Sequence, residues 1–161
     1  MTQRLSNVLY YEMMKYQWIT HLLYRLSILS FFTSAESTVS LPPNSGKGGR
    51  NQELALSAAL QLGSLNLRNV VLASVGTDGG DGPTDAAGAV VDATTTRNTR
   101  SLALEALANH NAYPYLDSLE YTSEELDDIP PPLIKIGPTG TNVADICVTL
   151  VKPRPGNPGN S

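Results

Sequence analysis

Three polar, glycine-rich stretches hold most of the side chains that could do chemistry in this sequence. The middle one, residues 76–85, contains four glycines, two threonines and three aspartates. Glycine lets the backbone approach a ligand closely, and carboxylate and hydroxyl oxygens bind hard cations or polar substrates. A tight turn can have the same composition, so this stretch alone leaves both interpretations open. The other two stretches are residues 44–53 and 137–145.

The stretch 44–53 has the features of an anion-binding site. Its glycines expose backbone N–H groups at the start of a predicted helix, whose N-terminus carries partial positive charge. Arg50 can bind a carboxylate or phosphate through two N–H groups, and Lys47 adds a second positive charge. The nucleotide-binding P-loop and dinucleotide-binding glycine patterns are absent, and a helix start with a flexible glycine lead is the alternative interpretation. The further candidates for substrate or phosphate binding here are Gly48, Gly49 and Asn51.

The other two stretches supply acidic and hydroxyl groups. Asp78 and Asp81 are candidates for placing metal or substrate, with Asp78 as the candidate magnesium ligand. In 137–145, hydroxyls and exposed backbone amides suit contacts to a phosphate or an oxyanion, although a Gly-Pro turn between strands would have the same sequence. A positive, an acidic and a hydroxyl-rich loop together fit phosphoryl transfer to a small acid. The remaining candidates for substrate or phosphate binding are Thr77, Thr84, Asp85, Thr139, Gly140, Thr141 and Asn142.

Charge and cysteine content argue against some classes of function. The 161 residues fit one domain with net charge −4, divided into +3 for residues 1–50 and −7 for the remainder. An acidic main body argues against nucleic-acid binding, which needs clustered basic residues. The single cysteine, Cys147, excludes an internal disulfide and lies in an apolar run, so we expect an inert core residue. A Ser-His-Asp set and a metal-binding pair of histidines are also absent from the sequence.

The elements that must position these stretches alternate between apolar runs and helical patterns. A helix over residues 54–62 is predicted to end at Gly63, and a second runs through Leu102 to Ala108 with its N-cap among residues 94–96. Because α/β sheets place their sites in polar loops at strand ends, we predict a single α/β domain. Its mixed β-sheet is flanked by helices, and the glycine-rich loops cluster at one edge. Strands are predicted at residues 37–41, 70–75, 86–91, 134–136 and 143–151.

The two ends of the chain differ from the predicted domain at residues 34–152. In residues 1–33, apolar side chains recur at helical spacing, but four polar or charged residues interrupt them. The segment is too charged for a membrane-spanning helix and lacks the basic lead of a signal peptide. The pattern predicts an amphipathic helix that packs on a partner surface or on the domain, with weak membrane association as the less favoured alternative. We therefore expect a cytoplasmic protein. Residues 153–161 lack core-forming side chains and are expected to be disordered.

Three motifs in this order resemble the MOFRL domain. They are Gly46–Leu56, Gly76–Gly88 and Gly137–Val143, and the resemblance covers roughly residues 36–152. The MOFRL domain forms the C-terminal part of the glycerate 2-kinases, a family also often labelled hydroxypyruvate reductases. The resemblance implies ATP-dependent phosphorylation of D-glycerate to 2-phosphoglycerate, with Mg²⁺, in a cleft between two α/β domains. It also implies that Arg50 faces this cleft and that the other motif residues line it.

The sequence departs from this family in ways that affect the expected activity. The family has a larger N-terminal domain that contributes a catalytic lysine and much of the nucleotide site, and residues 1–33 are too short to replace it. Ser34 and Ala35 stand where the family tends to have Gly-Gly, and residues 109–112 replace a more acidic pattern. We therefore expect little or no activity from this chain alone, with ATP and Mg²⁺ not fully bound. It is uncertain from sequence whether the chain is an enzyme.

The alternative is a non-catalytic module left from a truncated kinase. Such a module would bind a small anion, or would pair with a separate N-terminal kinase domain or a second copy of the chain. A folded remnant without function is the third possibility. The sequence leaves open whether the ligand is glycerate, hydroxypyruvate or tartrate, and which aspartate binds metal. It also leaves open whether residues 1–33 are a genuine part of the protein.

Overall fold

Five strands form one sheet in the computed structural model, which describes residues 29–35, 45–119 and 131–153. The strand order is β1-β5-β2-β3-β4. The helices are α1 (Arg50–Ser64), α2 (Arg100–Ala108) and α3 (Ala112–Asp117). The strands are β1 (Leu29–Ala35), β2 (Val70–Gly76), β3 (Gly88–Asp92), β4 (Leu133–Ile134) and β5 (Asp145–Val151).

The predicted α/β domain, with helices on a sheet and glycine-rich loops at one edge, is confirmed. The expectation of a mixed sheet is corrected in one respect, because every pairing among the described strands is antiparallel. The connection between β2 and β3 is the loop 77–87, which is shorter than the crossover that parallel neighbours need. The described part of the connection from β3 to β4 contains two helices, and β4 pairs antiparallel with β3.

The core lies between α1 and one face of the sheet. Four apolar residues of α1 share one side of the helix and are almost fully buried against β2 and β3. Small side chains on both surfaces let the helix approach the sheet closely, and α2 and α3 pack beside it. Complete burial of a leucine such as Leu56 stabilises the fold by about 1.5–3 kcal/mol. The core residues of α1 are Ala55, Leu56, Ala59 and Leu60, and those of β3 are Ala89 and Val91.

The two predicted helix ends differ from the structure for local reasons. Helix α1 continues through Gly63 to Ser64, so Gly63 is not the cap. A Cβ at Gly63 would lie 3.4 Å from the carbonyl oxygen of Ala93, and glycine here permits close packing. Helix α2 starts at Arg100, with Thr99 rather than residues 94–96 at its N-cap. The Asp92 carboxylate instead accepts the backbone N–H of residue 94 at 2.7 Å and forms a turn.

Several strand predictions are confirmed with shifted ends, and one segment changes type. Residues 29–33 were expected to be helical, but they belong to β1, which crosses the expected domain boundary at residue 33. Cys147 is half-buried on β5 rather than in the core. The predictions for residues 1–28, the strand at 37–41 and the tail beyond residue 153 lie outside the described residues. Among the residues that are described, no helix is long and apolar enough to cross a membrane.

The second face of the sheet is apolar and is not covered by any of the three described helices. Phe32, Val148, Ala73 and Val90 lie side by side across β1, β5, β2 and β3. Phe32 exposes 71% of its surface. The described helices all belong to the core on the opposite face. An apolar sheet face of this kind ordinarily packs against a further layer.

Candidate functional site

The glycine-rich loops pack directly on one another at one edge of the sheet. Gly79 has a positive φ of 87°, and a Cβ there would overlap the carbonyl of Gly137. A Cβ at Gly49 would overlap the carboxyl group of Asp81. With the loops 44–53, 76–85 and 137–145 numbered first to third, the contact at Gly79 joins the second and third loops. The contact at Gly49 joins the first and second loops. Glycine is therefore required at these two positions because the loops approach at backbone distance.

Asp81 binds the start of helix α1. Its Oδ1 accepts the backbone N–H of Asn51 at 3.0 Å, and its Oδ2 accepts that of Gln52 at 2.9 Å. The helix begins after Gly49, which has no side chain to cap these donors, so Asp81 serves as the cap from another loop. Burial raises the pKa of Asp81, although these hydrogen bonds oppose the shift.

This geometry changes the interpretation of Asp81. The residue is 3% exposed, and both of its oxygens face the helix start. The sequence expectation that it acts directly on metal or substrate is not favoured by this position. We assign Asp81 a positioning role, in which it fixes the first loop and thereby the residue that opens the helix, Arg50.

Asn51 and Thr84, two further predicted ligand residues, also hold the loops together. Asn51 accepts the Ser74 hydroxyl at 2.6 Å and donates its side-chain amide to Asp81 at 3.3 Å. The buried side chain of Gln52 donates to the Thr84 hydroxyl at 2.9 Å. Asn51 and Gln52 are buried and Thr84 is half-buried, and their hydrogen bonds connect the first loop to the second loop and to β2.

Arg50 is held in place by a two-point ion pair with Asp145. Its Nε and Nη2 atoms lie 2.5 and 3.0 Å from Oδ2 and Oδ1 of the carboxylate. Burial alone would raise the pKa of Asp145, but hydrogen bonds from Arg50 and Asn51 and the charge of Arg50 hold it below its ordinary value. The side chain of Asp145 is 8% exposed and that of Arg50 is 43% exposed. The arginine is thus fixed from beneath and open to solvent above.

The second and third loops are joined through two threonines. The Thr77 hydroxyl donates to the carbonyl of Ala144 at 2.8 Å and accepts the N–H of Val143 at 2.9 Å. The Thr139 hydroxyl donates to the carbonyl of Thr77 at 2.5 Å, and its N–H donates to the carbonyl of Asp78 at 3.2 Å. Beyond this junction, residues 140–142 are exposed. The structure therefore brings the predicted phosphate-binding segment beside Asp78.

Asp78 is exposed in the second loop, as is Asp85. Its Oδ1 accepts the N–H of Gly80 at 3.1 Å. Both this oxygen and Oδ1 of Asp145 lie close to Gly76, at 3.1 and 3.6 Å from the place its Cβ would take. Among the described residues, no group of three or more histidine, cysteine, aspartate or glutamate side chains could hold a metal ion. Mg²⁺ can bind through one carboxylate, waters and substrate phosphates, so Asp78 fits as a single ligand, and the metal role stays a prediction.

A second polar cluster, centred on Tyr113, joins residues of the first two glycine-rich stretches to residues outside them. The Tyr113 hydroxyl donates to Asp85 at 2.6 Å and accepts from Lys135 at 3.0 Å. Lys47 lies 4.0 Å from the centre of the Tyr113 ring. The hydrogen bond donated by Tyr113 lowers the pKa of Asp85. The pKa of Lys135 is raised, mainly by the hydrogen bond that Lys135 donates to Tyr113 and next by the one that it donates to Asp117.

Two predicted ligand residues, Lys47 and Asp85, thus lie together in this cluster. Sequence reasoning missed Tyr113 and Lys135 because 22 positions separate them and neither lies in a glycine-rich stretch. It also did not select Asp145 as a site residue. An acid at the first position of an apolar strand was the available signal, since a buried carboxylate requires a partner.

The chain is similar to known proteins over most of its length. The model of the MOFRL family matches residues 29–145. The D-glycerate 2-kinase of Thermotoga maritima is 42% identical over 117 residues, which are 72% of this chain and 25% of that protein. The glycerate 2-kinase of Pyrococcus horikoshii is 38% identical over 124 residues, 75% of this chain and 25% of that protein.

A solved structure agrees with these matches in fold. The crystal structure of glycerate kinase from Thermotoga maritima superimposes with a TM-score of 0.63 at 38% identity, over 76% of this chain and 27% of that one. The chain therefore spans about a quarter of the length of the relatives it matches. The family match covers well over half of this chain and includes all three glycine-rich loops. The chain belongs to the MOFRL family.

Proposed function

We propose that this domain is one wall of a glycerate 2-kinase active site. In the complete site, D-glycerate would be phosphorylated by ATP to 2-phosphoglycerate. The observation that carries the proposal is the position of Arg50, which is fixed by Asp145 at the positive end of α1 and remains 43% exposed. A guanidinium held in this way can bind the carboxylate of a hydroxy acid with little loss of its own conformational freedom.

The loops around Arg50 fit the requirements of phosphoryl transfer. This reaction depends mainly on positioning and charge neutralisation, since the protein contributes little covalent chemistry. The backbone amides of the exposed residues Gly140 and Asn142 can donate to phosphate oxygens, and Asp78 would hold Mg²⁺ from the same edge of the sheet. When bound, the metal ion would neutralise charge on the phosphates. Lys47 contributes positive charge 4.0 Å from the Tyr113 ring, beside the first loop.

The proposal predicts binding without appreciable turnover. The chain spans only a quarter of its kinase relatives, and the resemblance assigns the catalytic lysine to a domain outside the match. A coupled assay of ADP release with D-glycerate and ATP should therefore give almost no rate. A rate within the ordinary kinase range of about 1–100 s⁻¹ would show that this chain holds a complete site.

Calorimetry tests the binding role of Arg50 directly. D-glycerate should give heat with the native chain, and Arg50→Ala should abolish it because the guanidinium is the proposed carboxylate ligand. Lys152→Ala removes the same charge at the distant end of β5 and serves as the matched control. Unchanged affinity in Arg50→Ala would remove Arg50 from the site. Parallel titrations with hydroxypyruvate and tartrate identify the preferred acid.

A partner-binding module is the second candidate, and the uncovered sheet face favours it. The apolar row that includes Phe32 would be buried if a separate N-terminal kinase domain packed on it. Sedimentation of the chain mixed with the N-terminal domain of the Thermotoga maritima relative tests this. Phe32→Asp should prevent the complex, whereas Phe31→Asp changes the opposite face of the same strand and should not. Equal effects of the two variants would exclude this face as the interface.

A further inference from the structure

A cavity of about 310 Å³ opens at the end of α1 farthest from the glycine-rich loops. Its lining includes Gly63 from the last turn of α1, Thr96 from the turn after β3, and three arginines, Arg68, Arg97 and Arg100. Helix α1 has 15 residues, which places the cavity about 20 Å from Arg50 at a rise of about 1.5 Å per residue. The cavity is therefore separate from the proposed kinase site.

The three arginines, all exposed, line the cavity without an acidic partner among the described residues. None of the residues lining it is Asp or Glu, and in the described part of the chain none of these arginines forms an ion pair. This is unexpected in a protein with 15 acidic and 11 basic residues. Like charges that gather in this way repel one another unless an anion lies between them.

Helix capping does not account for the cluster. The last carbonyls of α1, those of Gln61, Leu62 and Gly63, already accept backbone N–H groups of residues 65–67. Arg100 donates one N–H to the carbonyl of Leu60 at 3.0 Å, and Arg68 donates one to Asn66 at 2.9 Å. These single bonds orient two guanidiniums and leave other N–H groups of each fork available. The Arg97 guanidinium makes no hydrogen bond within the described residues.

Thr96 supplies a polar group to the wall of the cavity. The residue is 3% exposed, yet its hydroxyl makes no hydrogen bond to any residue in the described segments. The fully buried, unpaired side-chain atoms of the described residues are Gln52 Oε1 and Asn69 Oδ1, so the Thr96 oxygen is not closed off but lies on the wall of the cavity. Its oxygen faces Gly63, where a Cβ would lie 3.6 Å away. The absent side chain of Gly63 thus leaves the cavity open in front of the hydroxyl.

We propose that this cavity is a second binding site, for a small oxyanion that carries a phosphate group. The arginine forks match phosphate oxygens in geometry and charge, and the Thr96 hydroxyl can donate to the same group. The volume is at the lower end of the range for ligand sites, about 300–1,000 Å³. The site has room for a phosphorylated three-carbon acid as well as for inorganic phosphate. The proposal does not depend on the kinase function.

Heteronuclear NMR of the full chain tests the site with two probes, inorganic phosphate and 2-phosphoglycerate, at ionic strength matched with NaCl. We expect saturable shifts of the Gly63 and Thr96 amide signals, and a rise in melting temperature of several degrees at saturation. The probe with the lower Kd identifies the class of ligand. Arg97→Gln should weaken binding about tenfold or more, the size expected for losing a charged hydrogen bond. Arg97 is exposed, so this change should leave the fold intact.

Three controls distinguish phosphate binding in this cavity from general charge screening and from binding at the glycine-rich loops. Lys152→Gln removes one positive charge at the same end of the sheet and should leave the affinity unchanged. Thr96→Val should weaken phosphate binding without lowering the melting temperature of the free protein. The proposal would be overturned if Lys152→Gln and Arg97→Gln weakened phosphate binding equally, or if NaCl alone gave the same shifts of the amide signals as phosphate. Either result would show that charge screening explains the response to phosphate. Phosphate-induced shifts confined to residues near Arg50 would also overturn it, while still agreeing with the proposed kinase site.

Discussion

Asp81→Ala is expected to be one of the most destabilising substitutions of an aspartate in this domain. The carboxylate accepts the backbone N–H groups of Asn51 and Gln52 and the side-chain amide of Asn51. Alanine leaves these buried donors without an acceptor, at about 1–3 kcal/mol each. Removal of a buried charge offsets part of this loss, because burial is what raises the pKa of Asp81. We expect a net decrease in the free energy of unfolding of about 3 kcal/mol, at or above the upper end for loss of a helix cap.

Urea denaturation followed by circular dichroism measures this difference, with Asp78→Ala as the matched control. Asp78 is exposed and accepts one hydrogen bond from a residue two positions away, so its loss should change stability by no more than about 0.5 kcal/mol. Asp81→Asn keeps the volume and one acceptor oxygen and should fall between the two. A decrease below about 1 kcal/mol for Asp81→Ala, or equal values for both alanine variants, would refute the capping role.

Two further predictions concern the same loops. Asp145 has a folded-state pKa below its ordinary value of 3.8, so its ion pair adds stability above about pH 4 that is lost as the pH falls through the folded pKa. The difference in free energy of unfolding between the native chain and Asp145→Asn, measured by urea titration, should therefore become smaller from pH 6 to pH 3. A constant difference would contradict the assignment. A Cβ at Gly49 would overlap both the carboxyl group and the backbone carbonyl carbon of Asp81, so Gly49→Ala should destabilise the native chain, and an Asp81→Gly background should relieve only the side-chain part of this overlap. A double-mutant cycle gives the coupling energy, and simple additivity would show that the two residues do not meet.

The sequence was sufficient for predictions that depend on local pattern. The apolar stripe of α1 identifies a helix because its burial follows helical spacing. The second and third loops meet at one edge because the second follows β2 and the third precedes β5, while the first loop leads into α1. The role of Asp81 could not be predicted, since an acid in a glycine-rich loop has the same local sequence whether it faces solvent or a helix start 30 positions away. Strand direction was not predicted for a similar reason, because an apolar run has the same local sequence whether it pairs parallel or antiparallel with its neighbour.

The position of β5 has a consequence for how this domain is made on the ribosome. β5 is the last of the described strands in sequence order, yet it lies between β1 and β2 in the sheet. During synthesis, β1 and β2 therefore cannot be connected in one sheet until residues 145–151 have been made. The unpaired edges of such strands can pair with other chains in the interval. Asp145, which fixes Arg50, is made with the same strand, so the position of Arg50 is fixed only after β5 has joined the sheet.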